Sequence, residues 1–100
     1  MTKDKECGVT KALKLIGSKW TLNIIYVLCE DAKRFGQIQK ELAGISPRTL
    51  SMRLQQLEKD GIVHRKMFAV VPLHVEYSLT KKGASLKHII TILDEWGQKQ

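Results

Sequence analysis

The run Ile45-Ser46-Pro47-Arg48-Thr49-Leu50-Ser51-Met52-Arg53-Leu54-Gln55-Gln56-Leu57-Glu58-Lys59-Asp60-Gly61 holds the start, the apolar face and the stop of one helix. Ser46 offers an N-cap oxygen, and Pro47 sits in the first turn, where its missing N–H costs nothing. Leu50, Leu54 and Leu57 recur at i, i+4 and i+7, which predicts one inward stripe, and Gly61 permits the left-handed stop after about Asp60. With that stripe inward, Arg48, Met52, Gln55, Gln56 and Lys59 point outward, and Thr49, Ser51 and Arg53 lie on the flanks.

Working back along the chain, Phe35, Ile38 and Leu42 give a helix that follows Arg34 and ends at Ala43-Gly44. Two helices joined by a short glycine-containing turn form a helix-turn-helix. Before it, Trp20, Ile24, Val27 and Leu28 form one stripe and Leu22, Ile25 and Cys29 another, which predicts a buried central helix capped by Ser18. A short first helix is expected over 10–16, with Leu13 and Ile16 inward and Gly17 as a left-handed stop. Downstream, 62–68 and 74–79 are β-prone and read as a hairpin with Pro72 in a long tip. Thr80 caps a last helix over 81–98, striped by Leu86, Ile89, Ile90, Leu93 and Trp96. The fold class is mainly α with a small β-hairpin: a winged helix-turn-helix, with flanking N- and C-terminal helices for dimerisation. One domain over 1–100 is expected, with the helix-turn-helix and wing over 34–79.

One hundred residues, 43% of them hydrophobic, suit one compact domain without a separate catalytic one. The net charge is +7, and between Arg34 and Lys82 nine Lys/Arg stand against four Asp/Glu, so a polyanionic partner is indicated. No dense polybasic run points to a membrane surface. MTKDKECGVT lacks the apolar core of a signal peptide, and no stretch approaches membrane-spanning length, so a cytoplasmic protein is expected. Two cysteines are too few for a disulfide scaffold or a thiolate zinc site, and His64, His74 and His88 have no ligand spacing. No phosphate-binding glycine loop, nucleophile elbow or carboxylate pair is present, so neither catalysis nor a metal or cofactor is expected.

The outward face of the fourth helix has the chemistry to read DNA. A major groove accepts one helix, Arg pairs with guanine, Gln pairs with adenine, and Lys59, farther along, suits phosphate. An isolated Arg/Gln/Ser face is ordinarily solvated surface. The order of helix, glycine turn, Ser-Pro start, leucine-spaced helix and hairpin is what favours double-stranded DNA as the partner. Arg65, Lys66 and His74 are the wing's candidate backbone contacts. The long apolar stripe of the last helix exceeds what so small a body covers, so a two-fold homodimer is expected, anchored by Trp96 and sharing Leu13 of the first helix.

Lys33-Arg34-Phe35, Gly44-Ile45-Ser46, Leu54-Gln55-Gln56-Leu57-Glu58-Lys59-Asp60-Gly61-Ile62-Val63 and Val75-Glu76-Tyr77-Ser78-Leu79-Thr80 closely resemble the HxlR family of MarR-like regulators. Cys7 ahead of Ile16-Gly17-Ser18-Lys19-Trp20 belongs to the same resemblance, which covers nearly the whole chain. It implies a small dimeric bacterial or archaeal transcription factor, and for some members an oxidant or electrophile sensed through the amino-terminal cysteine. The wing departs from the family pattern. Where two prolines and a basic residue are common, this chain has Val71-Pro72-Leu73-His74, an apolar tip.

Cys7 precedes a helix, where unpaired amides favour thiolate. Lys3, Lys5 and Lys11 add to that field, and Asp4 and Glu6 oppose it. Cys29 reads as a small buried hydrophobe. Two other classes compete with the DNA-binding regulator. One is a protein-interaction module using Phe68 to Leu73. The other is a thiol redox protein built on Cys7, which lacks a resolving cysteine nearby.

Overall fold

The computed structural model describes residues 7–100. Among the described residues, six helices and one hairpin follow one another: α1 Gly8–Ile16, α2 Thr21–Val27, α3 Phe35–Glu41, α4 Pro47–Lys59, β1 Val63–Phe68, β2 His74–Leu79, α5 Lys81–Ala84 and α6 Lys87–Gln98. Ile24 and Ile25 of α2, Ile38 of α3, and Leu50, Leu54 and Leu57 of α4 are fully buried, together with Ile62 and Val63 where the hairpin begins. The leucine stripe of α4 is therefore its attachment to the core. Truncating one such leucine to Ala costs about 2–5 kcal/mol.

The cap of α4 forms as its residues dictate. The Ser46 hydroxyl oxygen accepts from Thr49 N at 3.1 Å, Pro47 occupies the first turn, and Gly61 ends the helix at φ +75°. Gly44, at φ +96°, makes the turn between α3 and α4.

Three expectations near the amino terminus need correction. Gly17 is right-handed at φ −83°; its N–H closes the last turn of α1 on Leu13 O at 2.8 Å, and a Cβ there would fall on the Leu13 carbonyl. The left-handed residue is Trp20, at φ 80°, and it, not Ser18, stands at the start of α2. Ser18 contributes its carbonyl, which accepts from Thr21 N at 3.1 Å, rather than a hydroxyl cap. A positive φ strains an aromatic residue, and packing of the half-buried indole on the core offsets it. Leu13, expected inward, is 58% exposed, and α1 has no buried residue.

The hairpin is antiparallel, in register from Val63 opposite Leu79 to Phe68 opposite His74. A third segment joins it. Lys33 and Tyr77 exchange backbone hydrogen bonds, N to O at 2.9 and 2.8 Å. Thr80 caps as expected, its hydroxyl oxygen accepting from Gly83 N at 3.1 Å, but the helix it starts is only α5. The expected single helix over 81–98 breaks at Ser85-Leu86, just after Gly83, which is packed against the Ile62 carbonyl.

Within α6 itself, the side turned to the core splits the expected interface stripe. Ile90 is 4% exposed and Leu86 is half-buried against the core, so both pack into the chain's own interior. Ile89, Leu93 and Trp96 remain outward, with Trp96 62% exposed, and Ile92 joins them. No helix among the described residues is long and apolar enough to cross a membrane.

Candidate nucleic-acid interface

The outer face of α4 is presented as its periodicity requires. Arg48, Met52, Gln55, Gln56 and Lys59 are exposed, and Arg48 and Lys59 have no hydrogen bond or ion pair to other described residues. The flanking residues are partly committed. Thr49 belongs to the cap, its Oγ1 2.9 Å from Ser46 Oγ. Arg53 is tied down, its Nε donating to Lys19 O at 3.0 Å. This bond holds α4 to the turn before α2, so Arg53 is a positioned cation rather than a free reader. Gln56 donates to Asp60 Oδ1 at 3.1 Å, an exposed bond that a competing acceptor can exchange.

Two grooves flank this face. One, of about 530 Å³, lies between the end of α1 and α4 and is lined by Lys14, Ser18, Met52, Gln56 and Lys59 among others. The second, of about 430 Å³, lies between α4 and the wing and is lined by Ser51, Gln55, Glu58, Arg65 and Tyr77.

The wing residues do not act as one group. Neighbours along a strand point to opposite faces. Arg65 shares the face of Val63, Tyr77 and Met67 and looks into the groove beside α4. Lys66 lies on the other face, opposite Glu76, with its Nζ 4.9 Å from the Phe68 ring centre. His74 stacks on Phe68 at 4.7 Å and 17° between planes, with Nε2 3.4 Å from Glu76 Oε2. It stiffens the hairpin end instead of extending a free charge. Beyond it the tip is apolar and open; Val71 is fully exposed, and Val70 and Leu73 are also on the surface.

Sequence reasoning missed Tyr77. The available signal was its place in the strand, two residues from Val75 and two from Leu79. Its pairing with Lys33 depends on a loop with no periodicity to read.

Cys7 is itself the N-cap of α1. Its sulfur accepts from Thr10 N at 3.4 Å and lies 3.1 Å from Thr10 Oγ1. The Thr10 hydroxyl, helped by the Thr10 amide, holds the exposed thiol below its ordinary pKa. Lys3, Asp4, Lys5 and Glu6 lie outside the described residues. Burial pushes the half-buried Cys29 thiol up, with Lys87 opposing. Among the described residues, no cluster of three or more His, Cys, Asp or Glu can hold a metal.

Residues 15–100 match the model of the HxlR-like helix-turn-helix family. The chain is similar to YdeP of Bacillus subtilis, an HTH-type transcriptional regulator: 40% identical over 93 residues, spanning 93% of this chain and 73% of YdeP. Among solved structures it is similar to the redox regulator HypR in its oxidized form, with a TM-score of 0.89 and 39% identity, covering 94% of this chain and 97% of that one. A transcriptional regulator of the MarR family from Porphyromonas gingivalis W83 superposes with a TM-score of 0.92 at 33% identity, covering 100% and 98% of the two chains. The chain belongs to the HxlR-like helix-turn-helix family and is a DNA-binding transcriptional regulator of the winged-helix, MarR-like kind.

Proposed function

We propose that this chain acts as a homodimer on a palindromic operator, laying α4 in the major groove and answering an oxidant or electrophile through Cys7. The observation that carries the reading is the α4 face. Arg48, Met52, Gln55, Gln56 and Lys59 stand exposed on a helix whose opposite side is locked into the core. The amino-terminal half of α4 reads base edges, while Lys59 and Arg65 take phosphate. Val9 and Leu13 of α1, with Ile89, Ile92, Leu93 and Trp96 of α6, leave apolar surface that a second copy covers, and a two-fold dimer sets two recognition helices about 34 Å apart.

For sensing, the support is the exposed, capped thiol of Cys7 and the similarity to a redox regulator. The thiolate lone pair bonds to the β-carbon of an α,β-unsaturated carbonyl, whose C=C π pair shifts to give an enolate that water protonates. With a peroxide, the sulfur is oxidised by two electrons to sulfenate as the peroxide is reduced to water.

Selection of bound sequences from a random duplex pool tests the function. A palindrome with half-sites one turn apart is the expected product, and a pool that stays unenriched overturns it. Operator affinity before and after peroxide, in wild type and Cys7→Ala, tests sensing; an equal change in both overturns it.

A further inference from the structure

A helix with its side chains is about 10–12 Å across and the major groove about 12 Å wide, so a helix lying in it faces a phosphate backbone on each flank. The wing occupies one flank of α4. The other is the groove of about 530 Å³ closed by the end of α1, an element otherwise read only as a dimerisation helix. Among the described residues its lining carries three cations, Lys14, Arg53 and Lys59, and one carboxylate, Asp60, of which one oxygen already accepts from Gln56. Arg53 is held there by its bond to Lys19 O, and the exposed Ser18 lies on the same wall. The wing-side groove, by contrast, pairs one cation, Arg65, with one anion, Glu58.

We propose that the groove between α1 and α4 seats one phosphodiester backbone of the duplex, with Lys14 and Ser18 of the α1 end as contacts that the helix-turn-helix and wing do not supply. This rests on the DNA-binding reading above and adds α1 to the interface. It makes the α1 side the main source of the salt dependence of binding, because the wing side is nearly neutral.

The test measures affinity against salt for two duplexes, the sequence enriched from the random pool and a scrambled one, with wild type, Lys14→Ala and Lys11→Ala. Lys11 lies on the same exposed helix, is absent from the groove lining, and controls for changes in α1 itself. Lys14→Ala should weaken both duplexes by a similar factor and lower the slope of log affinity against log salt by about one, the loss of one neutralised phosphate. Lys11→Ala should leave the slope unchanged. Wild-type binding with the same slope in Lys14→Ala overturns the seat alone, as does an equal drop in Lys11→Ala. Failure of wild type to bind either duplex at low salt overturns the DNA-binding reading itself.

Discussion

Lys33 and Tyr77 exchange both backbone hydrogen bonds, which fastens the strand bearing the wing to the loop that launches α3. The helix-turn-helix and the wing therefore hold a fixed relation, and the Tyr77 side chain is brought to the groove that also holds Ser51 and Arg65. Because the pairing uses only backbone atoms, Tyr77→Phe should leave the thermal midpoint unchanged. If the hydroxyl donates to a phosphate in that groove, its loss should cost about 1 kcal/mol, roughly fivefold in duplex affinity. Melting by circular dichroism and a duplex titration on one preparation check both halves. A shifted midpoint would assign Tyr77 a structural role instead.

Gly83 is the tightest point between α5 and the hairpin base. A Cβ there would collide with the Ile62 carbonyl and lie 3.2 Å from Ile62 Cγ2, and both neighbours are fixed, since Ile62 is buried and its carbonyl accepts from Thr80 N at 3.0 Å. Gly83→Ala should destabilise by about 2 kcal/mol through overpacking, although Ala is the better helix former. Urea unfolding at fixed protein concentration measures it, and a neutral or stabilising result would mean that α5 moves freely.

What the sequence made legible follows from the range of the forces involved. Ser46, Pro47, the three leucines and Gly61 act within one helix, so local rules read α4 from cap to stop. The wing strands were readable for the same reason. Trp20 was not, because its left-handed turn is held by packing on residues far along the chain. The break at Ser85-Leu86 was invisible too, since Leu86, Ile89, Ile90 and Leu93 form an unbroken stripe on paper. Only the packing of α6 shows that Ile90 turns into the core while Ile89, Leu93 and Trp96 stay outside.

That division of the stripe makes a prediction about assembly. Trp96→Asp places a charge on a surface residue and should leave a folded chain, while converting the proposed dimer to monomer in sedimentation velocity. Ile90→Asp buries an uncompensated carboxylate at a 4% exposed site and should abolish cooperative unfolding altogether. A folded Ile90→Asp monomer would move Ile90 back to the interface.

The two cysteines should separate by chemistry. Cys7 is exposed with its thiolate favoured by Thr10, whereas burial disfavours the thiolate of Cys29. Iodoacetamide, which reacts with thiolate, should therefore label Cys7 several-fold faster than Cys29 near neutral pH, as peptide mass spectrometry would show. Thr10→Val removes the hydroxyl but keeps the amide, so it should slow Cys7 labelling without changing Cys29. The sign for stability follows. The folded-state pKa of Cys7 is depressed below its ordinary value of 9.0, so the capping contribution is fully present above that value. It is lost as pH falls through the lowered folded pKa, because a neutral thiol accepts from the Thr10 amide less well than a thiolate. Alkylated Cys7 cannot form the thiolate, and α1 has no buried residue of its own to hold it. Labelled protein should thus show faster amide exchange over 8–16 than unlabelled protein at pH 9, and the difference should shrink as pH is lowered. Equal exchange of the two at every pH would sever the cap from the thiol.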